Sequence, residues 1–194
     1  MAFQVLTVGL MVSAHAAENP PSTGGNTITL TNSTANGSGA ALGGENLLAT
    51  FGISASVRTE GDVTKSREGR FTIEWGTSTN RNKMELRRAT ELSIQNGVLV
   101  MSGNGVWTNR IVTLPTPTEG MRGRGKPTVT ETRKEGIMTI TITDGTSEAT
   151  DMLNVSFAPP GTTPWLFNGG LTRGNVNFRT ETKTKRVRAT PSPS

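Results

Sequence analysis

The sequence contains no cysteine and no tyrosine, and its single histidine is His15. Histidine and cysteine carry most general-base, nucleophilic and transition-metal chemistry near neutral pH, so their scarcity argues against catalytic triads, zinc sites and thiol chemistry. Without cysteine, no disulfide can stabilise the fold. We therefore expect a non-enzymatic protein that needs no metal and no cofactor.

The N-terminus has the pattern of a secretory signal peptide. An apolar run over residues 5–12 is followed by the small residues around Ala14-His15-Ala16, which match a cleavage site. No Lys or Arg precedes the run, so a buried strand or short helix over residues 3–12 is the alternative. No segment has the ~20 consecutive apolar residues of a membrane-spanning helix. We predict a signal peptide over residues 1–16, no transmembrane segment, and a mature protein that is secreted, periplasmic or located at the bacterial cell envelope.

The net charge of +5 is concentrated at the C-terminal end. Residues 1–172 carry fourteen basic and fourteen acidic side chains, so the excess comes from the residues that follow. We predict that residues 181–194 form a disordered basic tail. This tail has no aromatic side chain to stack on a base, so we expect no nucleic-acid partner. Contact with a glycan or another anionic cell-surface polymer is the sharper alternative.

Alternating apolar and polar residues recur at short intervals between turn signals, which favours strands over helices. Asn96-Gly97 predicts a hairpin with a type I′ turn, and Lys134-Glu135-Gly136 predicts another hairpin. A short helix over residues 85–90 is the alternative for one stretch. The expected fold is all-β, a single antiparallel β-sandwich or flattened barrel of about eight to ten strands. This domain spans residues 47–180 and follows a Gly/Ser/Asn-rich segment, residues 17–46, with one strand.

Tryptophan supplies the first group of candidate ligand-binding residues, because an indole offers a flat apolar face and a hydrogen-bond donor. Trp75 shares the apolar face of a predicted strand with Phe71 and Ile73, so we assign it to the core. Trp107 and above all Trp165, which follows a proline in a Pro/Gly/Thr-rich connection, are the candidates for contact with a ligand. Burial in the core is the alternative for both.

A basic cluster supplies the second group of candidates. Arg122, Arg124 and Lys126 lie in a Gly/Pro-rich loop over residues 114–126, where they could hold a phosphate or carboxylate. The loop lacks the spacing and the strand and helix context of a phosphate-binding loop, so a solvated loop is the alternative.

Carboxylate chemistry remains open without histidine or cysteine, because glycoside hydrolysis needs only two carboxyl groups. Glu74, Glu85 and Glu91 lie on or near predicted strands, but nothing in their spacing brings two of them together. None of the three aspartates stands in a calcium-binding loop. We therefore predict no catalytic and no metal-binding residue.

Five short segments have a recognisable order along the chain: Gly69–Trp75, Val98–Gly105, Thr139–Gly145, Asp151–Val155 and Gly169–Val176. Together they resemble the post-COAP-1 module of bacterial secreted proteins, over roughly residues 48–179. The resemblance implies an exported all-β module and carries no known activity or catalytic residue.

These observations favour a structural or adhesion-type β module at the bacterial envelope. The first alternative is a carbohydrate-binding module that uses exposed tryptophans. A carboxylate-dependent, glycan-degrading enzyme is the least favoured alternative. Exposed coplanar tryptophans would favour binding, two facing carboxylates in a cleft would favour hydrolysis, and the lack of both would favour a structural role.

Overall fold

The computed structural model describes residues 27–115, 126–145 and 151–187. These residues form nine strands: β1 (Thr27–Gly43), β2 (Leu48–Glu60), β3 (Val63–Gly76), β4 (Asn80–Leu86), β5 (Glu91–Gln95), β6 (Val98–Thr113), β7 (Thr128–Thr143), β8 (Met152–Ala158) and β9 (Trp165–Arg186). A single 3₁₀ turn, Gly44–Asn46, joins β1 to β2. No helix in these ranges is long and apolar enough to cross a membrane.

The strands form one antiparallel sheet that closes on itself. Their order is β4-β3-β2-β1-β9-β8-β7-β6-β5, and β4 pairs with β6 as well as with β3. Along the same edge of β6, β5 pairs with residues 98–102 and β4 with residues 105–111, so β4 and β5 act as two halves of one strand. The ring therefore has eight positions. Because β5 also contacts β1, β2 and β3, the barrel is flattened, and the predicted fold class is confirmed.

Apolar side chains from around the ring fill the barrel interior. Thirteen of the side chains larger than alanine are at most 2% exposed: Phe71, Ile73, Met84, Leu86, Leu99, Met101, Met138, Ile140, Ile142, Leu153, Val155, Phe157 and Val176. Burial of a large apolar side chain contributes about 1.5–3 kcal/mol to folding, so this core is the main stabilising element. A core filled in this way leaves the ends of the barrel as the places where a ligand could enter.

Several local predictions are confirmed. Alternation predicts apolar faces with Phe71 and Ile73 in β3, with Met138, Ile140 and Ile142 in β7, and with Leu153, Val155 and Phe157 in β8. These are the buried faces of the three strands. Asn96 and Gly97 have φ values of 50° and 73°, as a type I′ turn requires, and Gln95 pairs with Val98 across the turn. The alternative helix over residues 85–90 is not formed, since β4 runs to Leu86 and β5 begins at Glu91.

The first and last described strands are longer than predicted, which changes the expected domain boundaries. β1 continues to Gly43 and lies between β2 and β9, so residues 27–43 belong to the barrel and are not a separate segment. β9 continues to Arg186 in register with β1, so residues 181–186 are a paired strand and not a disordered tail. The glycines in β1 suggested a loop. In the structure, Gly37 instead allows β1 and β9 to approach closely, because a Cβ there would overlap the Asn175 carbonyl oxygen. The signal-peptide prediction and residues 188–194 lie outside the described ranges.

The hairpin predicted at Lys134-Glu135-Gly136 is wrong. β7 runs without interruption from Thr128 to Thr143 and pairs with β6 along its whole length. Gly136 serves a close approach and not a turn, because a Cβ there would lie 2.6 Å from the carbonyl oxygen of Ala158. As a consequence, Lys134 is a strand residue, and it lies directly opposite Trp107.

Candidate functional site

All three tryptophans of the chain lie around one cavity at one end of the barrel. Trp75 is near the end of β3, Trp107 is in β6, and Trp165 begins β9. The cavity, here called the tryptophan pocket, has a volume of about 340 Å³. Its lining consists of Trp75, Asn82, Met84, Trp107, Lys134, Phe157, Pro159, Thr162, Thr163 and Trp165.

Strand register explains how these residues meet. Trp75 pairs with Asn82 between β3 and β4, and Met84 pairs with Trp107 between β4 and β6. On the other side of β6, Trp107 pairs with Lys134. Residues two apart on a strand share a face, so the inward alternation of the core continues into the pocket wall.

A stack of aromatic rings forms one wall of the pocket. The rings of Trp75 and Trp165 have centroids 4.6 Å apart and planes inclined by 11°. Trp165 also lies near-parallel to Phe167, with centroids 6.1 Å apart. The face of Trp165 that contacts Trp75 is therefore not available to a ligand. Trp75 packs against the core as predicted, but it also lines the pocket.

Trp107 and Lys134 form a second wall. The Lys134 ammonium Nζ lies 5.5 Å from the centroid of the Trp107 ring. A cation within about 6 Å of an indole face is attracted by about 0.5–1 kcal/mol at an exposed site. Lys134 is exposed, and of the residues that the structure describes it is the only ionisable one that lines the pocket.

Two sets of hydrogen bonds fix the polar part of the lining. Asn109 Nδ2 donates to Oδ1 of Asn80 at 2.7 Å and to Oδ1 of Asn82 at 3.0 Å. The Thr162 hydroxyl donates to the Pro159 carbonyl oxygen at 3.1 Å, which closes a turn between β8 and β9. These bonds orient the Asn82 amide and the β8–β9 connection before any ligand arrives.

The structure brings only some of the predicted ligand-binding residues together. Trp107 and Trp165 meet in the tryptophan pocket, whereas Lys126 is exposed before β7 and does not line it. Arg122 and Arg124 lie outside the described residues. Sequence reasoning missed Asn82 and Lys134, because their relation to Trp107 depends on which strands flank β6.

The three candidate glutamates lie on the outer surface, each with its own partner. Glu74 bonds to Arg81 and lies 3.9 Å from Lys83 Nζ, and Glu85 lies 3.4 Å from Arg87 Nε. Glu91 accepts a hydrogen bond of 3.1 Å from the Ser102 hydroxyl. These residues alternate with buried neighbours along their strands, so they point away from the interior. None of them lines the tryptophan pocket.

Another cavity lies near the opposite end of β1 and β9. It has a volume of about 350 Å³ and is lined by Leu30, Thr31, Asn32, Arg58, Ser66, Glu181 and Lys183. No aromatic residue lines it, and it contains charges of both signs. In the part of the chain that the structure describes, no group of three or more His, Asp or Glu residues is placed to hold a metal ion.

Fold and site together define a closed antiparallel β-barrel with an aromatic cavity at one end. Comparisons with known protein families, with curated proteins and with solved structures found no match. The resemblance to the post-COAP-1 module therefore stays a prediction. The function has to be inferred from the chemistry of the tryptophan pocket.

Proposed function

We propose that this protein is a non-enzymatic binding protein that takes a sugar ring into the tryptophan pocket. The observation that carries the proposal is the convergence of all three tryptophans, from β3, β6 and β9, on one cavity. Small-ligand sites are commonly concave, aromatic and apolar, with a few polar groups that fix orientation. An eight-position antiparallel barrel is also wide enough to hold one small ligand.

Size and polarity favour a sugar. The volume of about 340 Å³ is near the lower limit for small-molecule sites, which suits a ligand of one or two rings. Indole faces and edges can pack against the C–H surface of a sugar, while its hydroxyl groups need directional partners. Asn82, Lys134 and Thr163 lie in the pocket lining and supply such groups.

A structural or adhesion role at the cell envelope is compatible with the same pocket, which would be the point of contact with a glycan. That combination retains the predicted export and the predicted glycan partner. Within residues 27–115, 126–145 and 151–187, no pair of facing carboxylates lines the pocket, so the described part of this site does not support the glycan-degrading alternative.

The proposal is tested by titrating the full chain with a panel of mono- and disaccharides, monitored by calorimetry and tryptophan fluorescence. We expect at least one saccharide to bind. Trp107→Ala should weaken that binding by about tenfold or more, which corresponds to about 1.4 kcal/mol. Leu166→Ala is the matched control, because Leu166 is 71% exposed and does not line the pocket. Circular dichroism would establish that both variants are folded.

The proposal is wrong if no saccharide of the panel binds. It is also wrong if Trp107→Ala and Leu166→Ala bind the same saccharide as tightly as the unmodified chain does. In either case the tryptophan pocket would be only a feature of barrel packing.

A further inference from the structure

The described lining of the tryptophan pocket carries one positive charge and no negative charge. Among the described residues, Lys134 is the only ionisable one in its lining, and none of them places a carboxylate there to neutralise that ammonium group. In the described ranges, Lys134 also takes part in no ion pair, while its neighbours Arg133 and Glu135 pair with each other at 2.9 Å. Aromatic walls of low polarity strengthen the field of a single charge in a cleft. The pocket therefore attracts anions.

Most of the hydrogen-bonding groups that the pocket offers to a ligand are donors, which also suits an anion. Asn109 donates to the carbonyl oxygen of Asn82, so the Asn82 amide NH₂ is the group left for a ligand. Lys134 offers three N–H donors and no acceptor. Thr162 differs, because its hydroxyl donates to Pro159 and its oxygen is left to accept. The pocket thus presents donors on β4 and β7 and an acceptor on the β8–β9 turn.

Both donors line the tryptophan pocket, on the strands that flank β6. Lys134 lies opposite Trp107 on one side of β6. Asn82 lies on the other side, opposite Asn109, two residues along β6 from Trp107. The Lys134 ammonium Nζ lies 5.5 Å from the centroid of the Trp107 ring, so it is close to the indole that a sugar ring would contact at its uncovered edge or face. A carboxylate has two oxygens and accepts charge-assisted hydrogen bonds from such donors.

We infer that the ligand is an acidic sugar, whose carboxylate is bound by Lys134 and Asn82 while its ring packs against Trp107. Its hydroxyl groups remain available to donate to Thr162. This inference rests on the proposed function and adds the chemical class of the sugar. It requires no bond to be made or broken.

The test compares sugars that differ only in the acid group. Calorimetry at low salt would measure D-glucose against D-glucuronate and D-galactose against D-galacturonate, with glucose 6-sulfate as a further anion. In at least one pair we expect the uronate to bind about tenfold or more tightly than the neutral sugar. Raising the salt concentration should reduce this ratio, because Lys134 is exposed and its charge is screened.

Variants assign the effect to one residue. Lys134→Met should remove the preference for the uronate, so that the uronate and the neutral sugar bind this variant with similar affinity, and Lys134→Arg should keep most of the preference. Lys126→Met is the matched control, because it removes the same charge from an exposed lysine that does not line the pocket. It should bind the uronate as the unmodified chain does.

The possible results separate the two proposals. If the neutral sugar binds as tightly as its uronate in both pairs, or if Lys134→Met keeps the preference, the inference fails while the sugar-binding proposal stands. Tighter binding of glucose 6-sulfate than of glucuronate would overturn the assignment of a carboxylate. If no saccharide of the larger panel binds, both proposals fail together.

Discussion

Replacing Trp165 by alanine tests whether the aromatic stack holds this end of the barrel together. Truncation of a buried Phe or Trp to alanine costs about 3–5 kcal/mol. Trp165 is only partly buried, which lowers this figure, but its contacts with Trp75 and Phe167 each contribute about 0.5–1.5 kcal/mol beyond burial. We expect Trp165→Ala to lower the free energy of unfolding by about 2–3 kcal/mol.

Urea unfolding followed by far-ultraviolet circular dichroism measures this loss without depending on the fluorescence of the removed indole. Leu166→Ala is again the control. Leu166 is the next residue of β9, points to the opposite face and is 71% exposed, so its truncation should change stability by less than about 0.5 kcal/mol. The two variants remove large apolar side chains from adjacent positions and differ chiefly in packing.

Equal destabilisation of Trp165→Ala and Leu166→Ala would refute the reasoning. A double-mutant cycle with Trp75→Ala gives a second criterion, since it isolates the energy of the Trp75–Trp165 contact. We expect a coupling of about 0.5–1.5 kcal/mol, and additive effects of the two substitutions would show that the stacked rings do not stabilise each other.

Two glycine substitutions test the backbone. A Cβ at Gly105 would lie 2.7 Å from the Met138 Cβ, which no side-chain rotation can move, so Gly105→Ala should destabilise the barrel by about 1–3 kcal/mol. Gly44→Ala is its control, because nothing lies within 4 Å of a Cβ there, and equal urea midpoints for the two variants would contradict this account. Gly97→Ala should cost about 1–2 kcal/mol, because Gly97 has a φ of 73°, whereas Asn96→Gly should be nearly neutral. A Gly97→Ala variant with unchanged thermal unfolding would argue against the type I′ turn.

Much of the barrel could be predicted from the sequence, because each strand buries one face. Alternation located the buried faces of β3, β7 and β8, and Asn96-Gly97 located a hairpin, since both signals depend only on neighbouring residues. The fold class followed from the density of these signals along the chain.

Closure of the sheet could not be predicted, because it depends on contacts between distant strands. Glycine and asparagine are typical of loops, yet both occur here within the paired strand β1, and Gly37 and Gly39 are positions where β1 and β9 approach closely. The Lys134-Glu135-Gly136 sequence suggested a turn because glycine is typical of turns, and only the pairing of this segment with β6 shows that it is part of a strand.

The site was predicted only in part for a related reason. Trp107 and Trp165 were recognisable from residue type, but the role of Lys134 depends on β7 lying beside β6, and that of Asn82 on β4 lying on the other side. Trp75 was assigned to the core because its strand alternation is regular, and its position near the strand end is what brings it to the pocket.

The pairing of β1 with β9 has a consequence for how the chain folds. Thr27 lies opposite Arg186, and Gly43 lies opposite Gly169, so the first and last described strands must find each other across more than a hundred intervening residues. Contacts between residues so far apart in sequence close slowly, because the entropy of a long loop is lost before the pairing is gained. Until β9 is available, one full edge of β1 has no partner, and a partly synthesised chain would expose it. The barrel therefore depends on β9 to complete folding. We expect the full chain to fold slowly, and a chain truncated after residue 170 not to fold.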